Sequence, residues 1–237
     1  MEYLLILRKK DNVENYIFII LIGGIVGSFI NVCIDCISNG KNVLFPIRLH
    51  SKRKLSLRYI SIDVFSSISF GIIYYCYGIS IETVLGCTFI AFAIVLSMID
   101  WDHMILPTSI IRWGMGMGLI ERILQAKITG SWFILADALM GAIVGYLLLM
   151  LMFYTSKWLL KKEGMGYGDV RLIGMIGLFI GLHMLFLALL ISSILASIYG
   201  IVLLKIRMKS EAYPLGPFLN IGGVLVFMWG NNMLKMM

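Results

Sequence analysis

Residues Tyr16 to Ile37 read YIFIILIGGIVGSFINVCIDCI, and this stretch decides the fold class. Asp35 is its one charged residue. A helix rises about 1.5 Å per residue, so a run of this length covers the roughly 30 Å hydrocarbon core of a bilayer. Apolar side chains fall on every side of such a helix, which suits lipid rather than one buried face. The run is also longer than the apolar part of a secretory signal, and no A-x-A site follows it, so a cleaved signal peptide is not expected.

The rest of the chain extends this reading. Of its 237 residues, 60% are hydrophobic and 14% are charged. A soluble domain has about 45–50% and about 25%. That excludes a soluble globular enzyme and a disordered chain. The net charge of +7 does not indicate nucleic-acid binding, because the basic residues are few and scattered. The apolar runs are continuous rather than alternating, which excludes an outer-membrane barrel. The expected class is all-α: a polytopic transmembrane helical bundle of about eight spans. They fall near 15–37, 59–79, 83–100, 107–124, 131–156, 169–182, 184–204 and 214–234. The sixth is short, and its weak break from the seventh at Gly181–His183 admits a re-entrant or tilted hairpin. No soluble part separates, so residues 1–237 are expected to form a single membrane domain.

Lysine and arginine set the orientation. Loops on one side carry Lys41, Arg48, Lys52, Arg53, Lys54, Arg58, Lys157, Lys161, Lys162, Arg171, Lys205, Arg207 and Lys209. The other side carries Arg8, Lys9, Lys10, Arg122, Lys127 and Lys235. The richer side is expected to be cytoplasmic, with the N-terminus outside. Cys33, Cys36, Cys76 and Cys87 all lie in apolar segments and read as buried small hydrophobes.

A charge inside a bilayer costs at least about 2.5–3.5 kcal/mol at the centre, so intramembrane acids are functional candidates. The chain has 13 acidic residues. Glu2, Asp11, Glu14, Glu82, Glu121, Glu163 and Glu211 read as solvated residues of loops, span ends and the terminus. Asp35, Asp63, Asp100, Asp102, Asp137 and Asp169 remain. Asp100 ends the third span in DWDHMILP, and Asp169 begins the sixth after GMGYG. The charge argument puts both at the cytoplasmic edge. Two close carboxyls share a proton. The ionised one can activate water while the protonated one polarises an amide carbonyl, as in aspartic proteases. The glycines before Asp169 permit a peptide to approach closely. Against this, a lone aspartate at a span end is commonly a helix cap. Glycines at the start of membrane helices also serve packing.

Four segments together resemble bacterial type IV prepilin peptidases, leader peptidases of the G-x-G-D intramembrane aspartyl protease group. They are Gly27-Ser28-Phe29-Ile30-Asn31-Val32, Asp100 to Pro107 (D-x-D-H-x-x-L-P), Glu163 to Leu172 (EGMGYGDVRL) and Tyr213 to Phe218 (YPLGPF). The resemblance implies catalysis by Asp100 and Asp169. Gly166, Gly168, Asp102, His103 and Pro107 would bind substrate or support the pair, with Asp102 a supporting acid and His103 a polar interface residue. Asp63 also resembles an acidic position of the family, and a structural hydrogen bond is its expected role. Asp137 is expected to pair with a neighbouring helix.

The resemblance further implies a membrane-embedded endopeptidase of the cytoplasmic (inner) membrane. It would cleave the basic leader from type IV prepilin or pseudopilin precursors. Many family members bind zinc through two C-x-x-C pairs in the loop after the first helix. Here the basic loop at 38–58 has no cysteine, so no zinc and no other metal is expected. Cleavage needs no cofactor; S-adenosylmethionine would be needed only if N-methylation is retained. The partners implied are the precursors and the lipid bilayer, with no nucleic acid. Two competing readings are a proton-coupled transporter using the intramembrane aspartates and an assembly scaffold without catalysis. Transporter sites lie near the bilayer midplane, whereas Asp100 and Asp169 share one edge.

Overall fold

The structure, a computed structural model, describes residues 2–38, 57–160, 166–207 and 213–234. Most of the basic loop at 38–58 lies outside them. Eight helices account for nearly all of the described chain: α1 (Glu2–Ser38), α2 (Leu57–Tyr77), α3 (Ile81–His103), α4 (Thr108–Thr129), α5 (Trp132–Leu160), α6 (Tyr167–Ile180), α7 (Leu182–Arg207) and α8 (Gly216–Leu234). The all-α expectation holds, and each predicted span coincides with one helix. The chain divides into two compact units, residues 1–83 and 84–237.

Five helices, α1, α2, α3, α5 and α7, are long and apolar enough to cross a membrane, and Gly216–Trp229 of α8 forms a shorter apolar helix. The other two differ from the simple picture of eight equal spans. Arg112, Glu121, Arg122 and Lys127 interrupt the apolar character of α4. At fourteen residues, α6 is too short: it covers about 21 Å, less than the roughly 30 Å of a hydrocarbon core.

In the first unit α1 packs on α2 along a seam of small residues. A Cβ on Gly27 would lie 2.8 Å from the Asp63 Cα, so only glycine fits there. The close approach brings polar groups within bonding range across the seam. Asn31, buried, donates from Nδ2 to Asp63 Oδ1 at 2.9 Å and to the Tyr59 carbonyl at 3.1 Å. Ser28 Oγ reaches Asp63 Oδ2 at 3.3 Å, and Tyr59 Oη donates to Asp35 Oδ1 at 2.8 Å. Asp63 is thus hydrogen-bonded between two helices, and the GSFINV segment supplies its partners.

The second unit is arranged around α6, which packs against α4, α5, α7 and α8. From Asp169 to Ile180 every residue except Arg171 is buried. A helix apolar all round belongs at the centre of a bundle. The tightest contact is with α5, where a Cβ on Gly141 would lie 2.5 Å from the Gly177 carbonyl oxygen. The two backbones therefore touch, as small residues allow in membrane helices.

At its far end α6 stops at Gly181, whose φ of 79° is in the left-handed region that glycine tolerates. The last carbonyls of a helix lack partners within it. Arg122 of α4 supplies them, donating from Nε to the Leu178 carbonyl at 3.2 Å and from a terminal nitrogen to the Phe179 carbonyl. Its other terminal nitrogen binds Gln125 Oε1 at 2.8 Å. Beside this end, His183 Nδ1 of α7 lies 2.7 Å from Asp137 Oδ1 of α5, so Asp137 is paired with a neighbouring helix.

Glu121 corrects the sequence reading, which made it solvated. It is buried at 6% exposure and accepts from Thr88 Oγ1 of α3 at 2.7 Å. The reason is helix length. Since α4 runs on to Thr129, Glu121 is two turns inside it, on a face turned toward α3.

Candidate active site

The DWDHMILP segment forms the last turn of α3 and the corner into α4. Met104 has a φ of 51°, and its N–H closes on the Asp100 carbonyl at 2.8 Å. A left-handed residue after the last turn is a common helix stop. Pro107 then stands at the start of α4 with φ −64° and ψ 115°, a position its ring accommodates. Between them Leu106 lies against the start of α6: a Cβ on Gly168 would be 2.8 Å from the Leu106 Cβ. The glycine at 168 therefore lets the α3–α4 corner close onto α6, which carries Asp100 toward Asp169.

Asp100 and Asp169 are both buried, at 5% and 7% exposure. The charge of Asp100 acts directly on Asp169, so the two carboxyls are within electrostatic reach. Each is held by a backbone N–H at the start of a helix. Asp100 Oδ2 accepts from the Gly216 N–H at 2.9 Å, at the first residue of α8. Asp169 lies in the first turn of α6, where its N–H donates to the Gly166 carbonyl at 3.1 Å. Its carboxyl folds back to accept from the Gly166 N–H. This is the geometry by which an acid three residues into a helix caps its start. A Cβ on Gly166 would come within 3.2 Å of Asp169 Oδ2. The N-cap itself is Gly166, so Asp169 caps from inside the first turn rather than as the N-cap residue, and this coexists with its approach to Asp100.

The remaining sequence candidates separate. Asp102 and His103 are exposed, while Asp100 is buried. Two residues turn a helix by about 200°, so Asp102 points away from Asp100. Pro107 and the two glycines shape the backbone rather than present reactive groups. Aromatic residues flank both acids. On the α8 side, Trp101 meets Tyr199 at 5.8 Å between centroids, and Tyr199 meets Phe218 at 5.2 Å. On the α6 side, the Tyr146 and Tyr167 hydroxyls are 2.8 Å apart. The Arg171 guanidinium sits 4.5 Å above the Tyr167 ring and bonds Thr108 Oγ1.

Sequence reasoning gave no role to Gly216, Asn220 or Tyr146. For Gly216 the YPLGPF segment was a signal without a chemistry, because backbone donors leave no mark on residue type. Asn220 had a signal that could have been used: an amide within an apolar helix. Among the described residues no group of three or more His, Cys, Asp or Glu side chains could hold a metal ion.

Residues 87–201 match the type IV leader peptidase family. Curated relatives bear the name prepilin leader peptidase/N-methyltransferase. The protein of that name from Pseudomonas putida is 36% identical over 182 residues, covering 76% of this chain and 62% of the relative. The one from Stutzerimonas stutzeri is 34% identical over 183 residues, covering 76% and 61%. The Aeromonas salmonicida protein is 37% identical over 147 residues, covering 60% and 48%. The chain thus spans about three fifths or less of these relatives' length. No solved structure matches it.

Proposed function

We propose that this chain is a type IV leader peptidase, an aspartic endopeptidase of the cytoplasmic membrane, as its match to that family over residues 87–201 supports. Its substrates are type IV prepilin-like precursors, cut between a basic leader and an apolar helix. The observation that carries this reading is the pair Asp100 and Asp169. They come from different helices, are both buried and are electrostatically coupled.

The chemistry follows from that pair. One carboxyl is ionised and the other protonated, because two buried charges within electrostatic reach of each other are costly in a low-dielectric site. The ionised carboxyl takes a proton from water, and the water oxygen attacks the scissile carbonyl. The protonated carboxyl hydrogen-bonds the carbonyl oxygen as negative charge develops there. Collapse of the tetrahedral intermediate breaks the C–N bond, and the leaving nitrogen takes up a proton from the dyad. Gly166, Gly168 and Pro107 set the backbone around the pair. Asp102 and His103 are exposed beside it, and their polarity suits contact with the leader.

The excess of lysine and arginine on the loops beside Asp100 and Asp169 supports a cytoplasmic position for the site, with the N-terminus outside. The precursor's apolar helix partitions into lipid and packs laterally. The relatives' names also include N-methyltransferase. Methylation of the new N-terminus would consume S-adenosylmethionine. The described residues, all helices and short turns, contain no strand–glycine–helix cradle for its nucleoside. Its site is therefore not assigned to them.

Co-expression with a prepilin, followed by mass spectrometry of the product N-terminus, tests both activities. A shortened product carrying one added methyl supports both. Uncleaved precursor beside a well-expressed, membrane-inserted protein refutes the endopeptidase.

A further inference from the structure

Asp100 is the acid held from outside its own helix. Its Oδ2 accepts from the Gly216 N–H, and a Cβ on Gly216 would lie 2.6 Å from that same oxygen. The start of α8 is thus pressed onto the carboxyl with no space between. One turn further along α8, Asn220 is 2% exposed and donates from Nδ2 to α3 twice, to Ser97 Oγ at 2.8 Å and to the Ala93 carbonyl at 3.2 Å. Ser97 is one turn before Asp100 on α3. The two helices are therefore pinned at successive turns, Asn220 on Ser97 and Ala93, then Gly216 on Asp100.

The Asn220 side chain has a feature that packing does not require. Its Oδ1 is buried with no hydrogen-bond partner. A buried unsatisfied acceptor is a cost, and an apolar side chain of the same size would avoid it. What the amide supplies in return is the pair of donated bonds to α3.

We infer that Asn220 is a positioning residue: it docks the start of α8 on α3 so that the Gly216 N–H fixes the Asp100 carboxyl for reaction. The inference rests on the endopeptidase reading. Asn220 touches neither water nor peptide, and acts through Gly216. Loss of its donors lets the start of α8 shift, and Asp100 loses the fixed orientation that reaction with a positioned water needs. Binding of the leader and of the apolar helix is left as it was.

The test is steady-state cleavage of a purified prepilin by the full chain in detergent, with wild type, Asn220→Leu, Ser97→Ala and Gly216→Ala, alongside thermal unfolding. Asn220→Leu keeps the volume and removes the donors. Its kcat is expected to fall about 10- to 100-fold with KM within about twofold, the signature of an effect on the reacting group rather than on binding. Gly216→Ala is expected to fall further, because its methyl group collides with the carboxyl. Ser97→Ala, the mildest change, is expected to lose about 3-fold in kcat with KM unchanged, and it carries the test if Asn220→Leu does not fold. Wild-type kcat in a folded Asn220→Leu, or a raised KM at constant kcat, overturns the inference and leaves the endopeptidase standing. An inactive wild type overturns both.

Discussion

The contact between α5 and α6 makes the sharpest prediction, because its geometry has so little slack. A methyl group at position 141 would sit 2.5 Å from the Gly177 oxygen, 2.7 Å from the Gly181 carbonyl carbon and 2.8 Å from the Leu182 nitrogen. All three are backbone atoms, so no side chain can swing aside. A carbon meets a carbonyl oxygen comfortably at about 3.3 Å or more, so Gly141→Ala must push the helices apart by about 0.8 Å. Overpacking of this kind costs about 1–3 kcal/mol. Gly116 on α4 is the control, since a Cβ there meets nothing within 4 Å. Gly116→Ala is expected to be neutral or to stabilise by up to about 1 kcal/mol, through helix propensity. The assay is thermal unfolding of both variants in one detergent, followed by cleavage at a temperature where both are folded. Because α6 carries Asp169, Gly141→Ala is also expected to cut the rate by about 10- to 100-fold. A Gly141→Ala protein as stable and active as wild type would refute the close backbone contact and the dependence of the site on it.

Three further outcomes are expected. Asp100→Asn and Asp169→Asn should each reduce prepilin cleavage at least 100-fold, within the range of about 10²–10⁴ for a lost general acid or base, while leaving membrane insertion intact; normal processing in either variant would remove that residue from the mechanism. Arg122→Ala should destabilise by roughly 2–6 kcal/mol, since two carbonyls at the end of α6 lose a charged donor at about 1–3 kcal/mol each. Arg122→Lys should recover part of that only, because one ammonium cannot reproduce the planar fork; unchanged unfolding of Arg122→Ala would show that these carbonyls find other partners. In the first unit, Asn31→Leu should cost about 1–3 kcal/mol by leaving Asp63 short of a donor. Its effect should be reduced in an Asp63→Asn background, and full additivity in that double-mutant cycle would deny the coupling.

How much of this was legible in the sequence depended on what each residue does. The helices were legible because lipid imposes a long apolar run, and YIFIILIGGIVGSFINVCIDCI satisfies that requirement without help from the rest of the fold. The pairing of Asp100 and Asp169 was legible in outline, because both fall at one membrane edge if every predicted span crosses. Its cause was not. Gly168 matters through the Leu106 side chain that lies where its Cβ would be, and that neighbour is over sixty residues away in sequence. Glu121 was misread for a related reason. A charged residue near a span end looks solvated until the helix is seen to run past it and a partner, Thr88, is found on another helix. Composition shows what a residue costs to bury, but only the fold shows what offsets the cost.

The short central helix ties these parts to the proposed chemistry. Helices α6 and α8 both begin at the site, and each start carries a partial positive charge of about half an electron from its unpaired N–H groups. The Gly166 and Gly216 N–H groups, which meet the two carboxyls, belong to those starts. Two such ends can hold about one negative charge on buried carboxyls, and one negative charge is what a dyad sharing a proton carries. Two ionised carboxyls would leave about one charge uncompensated. Two neutral ones would leave no base for the water. At its other end α6 has the opposite polarity, and the cation there is Arg122, on the Leu178 and Phe179 carbonyls. The same fourteen-residue helix is thus matched at both ends, by an arginine at its C-terminus and by an acid in its first turn. Reversal of the charge at either end should therefore weaken the whole helix, while an amide at 169, which still accepts a backbone N–H, should cost about 1 kcal/mol or less and remove the chemistry.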